Sequence, residues 1–152
     1  MAKIFETSED IVEMINDKFE ETGLAAIGIN LKVLSVSKQK EVLKIQKTSP
    51  TTAFLTKKDL QIMVYEPAFD RLSTEIQERL IETLLSNVWF DSEKDKLNIE
   101  TNPFVQIFNM RKKYPNIVDY LEASFLVIKQ LEDEEKERKQ AEKEAKKASK
   151  SR

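Results

Sequence analysis

Asp91, Glu93 and Asp95 alternate with Ser92 and Lys94, a spacing that starts like a calcium-binding loop and offers carboxylate oxygens to Ca²⁺ or Mg²⁺. The pattern then fails. Lys96 stands where such a loop turns on glycine, and Asn102 where it ends on a bidentate glutamate. With Lys94 and Lys96 as local counter-charge, the expected form is a solvated turn. A second acidic set, Glu66, Asp70, Glu78 and Glu82, has the side chains for general acid and base work, provided that the four converge. In a chain that is 34% charged, helix-surface charge is the preferred reading. Trp89 and Phe90 form the most conspicuous aromatic pair. On a strand, neighbours face opposite ways, so the outward ring is a candidate anchor for a protein partner and core packing is the competing role. Met110-Arg111-Lys112-Lys113-Tyr114 is a basic-aromatic cluster. It suits phosphate contact, but cations in the last turn of a helix also suit its dipole, and that is the preferred reading.

What the chain lacks narrows the chemistry further. Among 152 residues there is no histidine and no cysteine. Imidazole and thiolate are the usual zinc ligands, and histidine is the usual proton shuttle near neutral pH. Zinc peptidase chemistry, Cys-His and Ser-His-Asp catalysis and zinc-finger binding therefore each lose an essential part. We expect no catalytic residues, no metal site and no cofactor.

A hydrophobic fraction of 40% can build a core, and the apolar residues lie between Ile4 and Leu131. This predicts one domain over 1–131, followed by a charged, fraying helical or disordered tail over 132–152. A net charge of −2 excludes a generally basic nucleic-acid coat and a generally acidic DNA mimic. From Lys136 to Arg152 there are eight basic and three acidic residues, a local +5 that leaves about −7 for the rest. The tail could meet nucleic acid or an acidic protein surface, though interspersed Glu137, Glu142 and Glu144 favour a solubilising or tethering role. No apolar run approaches the roughly 20 residues that cross a bilayer, and Met1 to Glu6 has no signal-peptide core. Cytoplasmic location is the expectation.

Positioning falls to a mixed set of elements. Thr7 with Asp10 resembles a helix cap, ahead of Ile11, Met14, Ile15 and Phe19 on one face, and Gly23 is placed to stop that helix. Ala26 to Ser37 alternates as a strand, with a parity shift at Leu34 and Val36 that suggests a bulge. Ser37 to Lys40 reads as a turn into a second strand with Leu43 and Ile45. Thr48 to Lys58 reads as a loop anchored by Phe54 and Leu55, and Asp59 to Tyr65 as a third strand. Pro67 opens a short turn holding Phe69 and Leu72. Thr74 and Gln77 have capping-box spacing for a helix with Ile76, Leu80, Ile81, Leu84, Leu85 and Val88 on its apolar face. Val88 to Glu100 reads as a hairpin. Asn102-Pro103 starts a helix with Phe104, Ile107, Phe108 and Met110, and Pro115-Asn116 a last one buried through Val118, Leu121, Phe125, Ile128 and Leu131. Beyond Leu131, Glu132/Lys136, Glu134/Arg138, Glu135/Lys139 and Glu142/Lys146 are i,i+4 pairs in the favourable order.

Residues 25–115 resemble the metallopeptidase-like proteins of tailed phages in the order of their elements. The resemblance rests on the strand Asp59 to Tyr65, Phe69 in an acidic turn and the helix from Gln77 to Asn87. The hairpin and Lys113-Tyr114-Pro115 follow, the latter where that family has Arg-Tyr-Gly. It implies a zincin-like fold with HExxH on the long helix. The best register puts that motif at Thr83-Leu84-Leu85-Ser86-Asn87. Thr83 and Asn87 replace the two histidines, and Leu84 replaces the glutamate that activates water. Such a scaffold would be a degenerate member without zinc or peptidase activity.

The resulting expectation is an α+β domain, a mainly antiparallel zincin-like sheet packed by helices, with a charged C-terminal helix. Its expected function is that of a non-catalytic, phage-encoded accessory protein binding a macromolecule, foremost a protein, through Trp89, Phe90, Arg111, Lys112, Lys113 and Tyr114. Two alternatives stand beside it: a carboxylate-based divalent-metal nuclease or phosphoesterase, and a virion or assembly component.

Overall fold

In a computed structural model, residues 2–150 are described. Met1, Ser151 and Arg152, which include the last cation of the tail, lie outside the described residues. The fold is mixed α+β, with a sheet packed by helices. Strands β1 (Ile4–Glu6), β2 (Leu31–Val36), β3 (Leu43–Lys47) and β4 (Leu60–Val64) form one sheet in the order β1-β2-β4-β3. β5 (Val88–Asp91) and β6 (Lys96–Ile99) form a separate hairpin. The helices are α1 (Glu9–Glu21), α2 (Pro50–Thr56), α3 (Glu66–Phe69), α4 (Thr74–Ser86), α5 (Pro103–Arg111) and α6 (Ile117–Lys150).

β4 occupies the centre. It runs parallel to β2 and antiparallel to β3, so β2 and β3 are not hairpin partners although only a short turn separates them. Its Leu60, Ile62 and Val64 are fully buried on one face. Leu31, Val33 and Ser35 of β2 pair with those three and keep the same face. The expected bulge is therefore absent, and the register runs unbroken. Ser35 hid this parity, because a serine reads as outward. Here it is fully buried, and its hydroxyl donates to Thr7 Oγ1 at 2.9 Å, which satisfies both buried groups.

Against this face α1 lays Ile11, Ile15 and Phe19, and α4 lays Leu80, Ile81 and Leu85, in one core with Phe69 and Leu72. α4 packs on α1, α5, α6 and β3. Its N-cap is Ser73, whose hydroxyl accepts from the Ile76 amide, not Thr74. Gln77 does not close a capping box; its amide donates to the Phe69 carbonyl and ties α4 to α3. In α1 the N-cap position is Ser8 rather than Thr7, and its side chain makes no capping hydrogen bond.

Other expectations need correction. β1 pairs with β2 where no strand was foreseen. The Ala26–Ser37 strand is confined to Leu31–Val36, with a 3-10 turn at Ala25–Ile27 before it. The supposed loop contains α2, capped by Ser49 with Pro50 in its first turn, and its Phe54 and Leu55 are exposed rather than anchored. Val88 belongs to β5, beyond the end of α4. α6 is buried through Ile117, Ser124, Val127 and Ile128, while Val118 and Phe125 face outward. It continues as helix past Leu131, and contacts with the body continue with it, through Glu134 and Glu135.

Candidate functional site

Two surfaces combine exposure with chemistry. The first is built by α5 and α6, which pack on each other. Asn102 caps α5 by accepting from the Phe104 amide at 2.9 Å, and Pro103 presets its first turn. That start leaves Phe104 84% exposed and Phe108 62% exposed, with Val105 beside them. Met110 is the residue of α5 that is buried. On α6, Val118, Phe125 and Leu126 are exposed in turn. Arg111, Lys112 and Lys113 follow at the end of α5 and are exposed, with the Lys112 ammonium 5.4 Å from the centre of the Phe108 ring. Exposed apolar side chains on both helices, with cations at the end of α5 and Asp119 and Glu122 exposed on α6, are what this pair offers to solvent.

Tyr114 belongs elsewhere. The Arg79 guanidinium lies 4.2 Å from the centre of its ring and Lys113 Nζ 5.3 Å from it. Arg79 also meets Glu82 at 3.4 Å, and Glu82 accepts from Lys18 at 2.8 Å. Burial pushes the Glu82 carboxyl up, but the Lys18 hydrogen bond, the nearby Tyr114 hydroxyl and the charges of Lys18 and Lys113 outweigh it and hold the group below the usual carboxylate range. Lys18 is raised in return, chiefly by its hydrogen bond to Glu82. This cluster ties α1, α4 and the α5–α6 turn together.

The hairpin places Trp89 half-exposed and Phe90 partly buried against the core. Its acidic tip is structural: Asp91 Oδ1 accepts from the Glu93 and Lys94 amides at 3.0 and 3.2 Å, while Asp95 takes a positive φ of 50°. The other four carboxylates do not gather as one set. Glu66 accepts from the backbone N–H and the hydroxyl of Ser8, fixing the entry to α1. Asp70 is raised by burial and then by Glu66. Glu82 is committed to Lys18, and Glu78 lies on the same helix. Among the described residues no three His, Cys, Asp or Glu side chains gather as a metal-ligand set.

The second surface is a cleft of about 830 Å³ between the sheet and α6. Ser37 and Lys38 follow the carboxyl end of β2, and Tyr65, Pro67 and Arg71 follow that of β4. Across it, Arg71 donates to both Glu134 oxygens at 3.0 and 2.7 Å, and Lys38 donates to Glu135 at 2.9 Å. A smaller cleft of about 490 Å³ shares Ser37, Lys38 and Glu135. Sequence spacing could not reveal these pairs, because 63 and 97 residues separate the partners.

Thr83 and Asn87 line neither cleft. Thr83 is buried with its hydroxyl donating to the Arg79 carbonyl at 2.7 Å, Asn87 is buried at the end of α4, and Leu84 packs against the core. No helix among the described residues is long and apolar enough to cross a membrane. No family model, curated protein or solved structure matches the chain.

Proposed function

We propose that the protein is a non-catalytic binding module that engages a protein partner through the apolar face of α5 and α6. One observation carries this reading: Phe104, Phe108 and Phe125 are each more than 60% exposed on two helices that pack together. Large exposed apolar groups held on ordered helices mark interaction surfaces. Arg111, Lys112 and Lys113 at the rim select the occupant, an apolar protein segment bordered by acidic residues. Trp89 on the hairpin is a further exposed aromatic.

The phage resemblance proposes the same role in a more specific form, an accessory protein on a pseudo-peptidase scaffold acting in the cytoplasm of an infected cell. The exposed apolar face supports the binding part of that proposal. Thr83, Leu84 and Asn87, packed within α4 and at its end, support no catalytic part.

The test is affinity capture from the native host with wild-type protein and with an F104S/F108S variant. A specific partner held by the wild type and lost by a folded variant is the expected result. Equal recovery of that partner by both would remove α5 from the interface.

A further inference from the structure

We propose that the cleft at the carboxyl ends of β2 and β4 is a binding site for a small phosphomonoester with an apolar body, and that Glu134 and Glu135 of α6 act as its tethered competitor. This site is separate from the α5–α6 face and does not rest on that reading.

Placement is the first argument. In open sheets, ligands sit in crevices outside the carboxyl ends of parallel strands, because the chain leaving those ends supplies the lining. β2 and β4 are the parallel pair, and the residues that follow them are Ser37 and Lys38 on one side, Tyr65, Pro67 and Arg71 on the other. A volume of about 830 Å³ lies within the range of small-molecule sites.

Chemistry is the second. Lys38 and Arg71 bring two cations from the body, while on α6 Arg138 is offset by Glu137, so displacing Glu134 and Glu135 leaves a net +2 in the lining. Two positive charges suit a dianion better than a monoanion. The Ser37 and Tyr65 hydroxyls add donors, while Pro67, Leu131 and Ala141 give the apolar wall. A guanidinium presents a planar fork that takes carboxylate or phosphate through two parallel hydrogen bonds. Glu134 now occupies that fork with both of its oxygens, and Glu135 holds Lys38. The carboxylates of α6 therefore sit where the oxygens of an incoming phosphate would sit. A ligand must displace them, and because both carboxylates are adjacent on α6, their displacement would vacate both cations together.

The experiment uses the full chain, with phenyl phosphate as the probe in isothermal titration calorimetry. Replacing both competitors, E134Q/E135Q, should tighten binding at least tenfold over wild type, and adding Arg71→Gln should abolish the gain. Benzoate, which shares the ring and carries one charge, should bind the double variant at least tenfold more weakly than phenyl phosphate. Equal affinity in wild type and E134Q/E135Q overturns the proposal, as does a gain that survives Arg71→Gln. If the double variant loses its cooperative melt, the single variant Glu134→Gln carries the same test, with a gain of threefold or more expected and no gain counting against.

Discussion

Lys18 on α1 and Glu82 on α4 stand 64 residues apart in sequence and 2.8 Å apart in space. Both side chains are largely buried, at 18% and 13% exposure, and Arg79 joins them through the same Glu82 oxygen. A charge cluster so placed fixes how two core helices cross, because removing Glu82 takes the shared carboxylate from both Lys18 and Arg79 in a poorly solvated position.

Glu82→Gln should therefore lower stability by about 2 kcal/mol at pH 7, the scale of a hydrogen bond between charged groups. The effect should depend on pH. The folded-state pKa of Glu82 is depressed, so its contribution is present above the unfolded value and is lost as pH falls through the folded one. Lys18 is raised, so its share is present below its ordinary value and is lost as pH rises through the folded one. Urea denaturation from neutral pH downward should show the gap between wild type and variant closing below the ordinary glutamate value of about 4.3. A gap that stays constant into strong acid would exclude the ion pair as its source.

Ser73→Ala isolates the start of α4. The hydroxyl satisfies the Ile76 amide, which has no partner within the helix, so its loss should cost about 1 kcal/mol. For a chain of this size that corresponds to a fall in Tm of about 2–4 °C. Thr74→Ala should have a much smaller effect, because Thr74 is the first helical residue and not the cap. Calorimetry on the two variants distinguishes the cap from its neighbour.

That one-residue displacement is typical of what local pattern conveys. The apolar periods of α1, α4 and β4, the Asn102-Pro103 start of α5 and the β5–β6 hairpin were legible because each follows from neighbouring residues. Long-range relations were not. Nothing near Leu43 indicates that β4 will insert between β2 and β3, since strand order depends on which pairing buries Ile62 between Val33 and Ile45. β1 escaped notice because three residues are too few to show alternation. α2 was obscured by Pro50 and three threonines, which read as loop although Pro50 only presets its first turn. Spacing offered Glu134 and Glu135 only the local partners Arg138 and Lys139, and could not show that Arg71 and Lys38 reach them from the body. Glu135 keeps its local partner as well, Lys139 at 3.3 Å.

Gly23 stops α1 with φ at +80°, a region that side chains with a Cβ rarely enter. A Cβ there would meet nothing within 4 Å, so Gly23→Ala carries backbone strain without a clash. The expected cost is about 1 kcal/mol. A thermal melt showing a loss several times larger would mean that Gly23 is packed more closely than its open surroundings allow.

The orientation of α6 gives the sharpest contrast, because Phe125 and Ser124 exchange the roles that their residue types suggest. A phenylalanine on an amphipathic helix is ordinarily the buried member, yet Phe125 is 61% exposed and Ile128 only 6%. Ser124 takes the inward position instead, since its hydroxyl donates to the Leu121 carbonyl at 2.6 Å and needs no partner from the core. Phe125→Ser should therefore change stability by no more than about 0.5 kcal/mol. Ile128→Ala removes buried methyl groups from the core and should cost about 2–5 kcal/mol. Urea midpoints for the two variants decide the matter. If Phe125→Ser proves the more damaging, α6 is rotated, its aromatic face points inward, and the apolar surface assigned to protein binding loses one of its two helices.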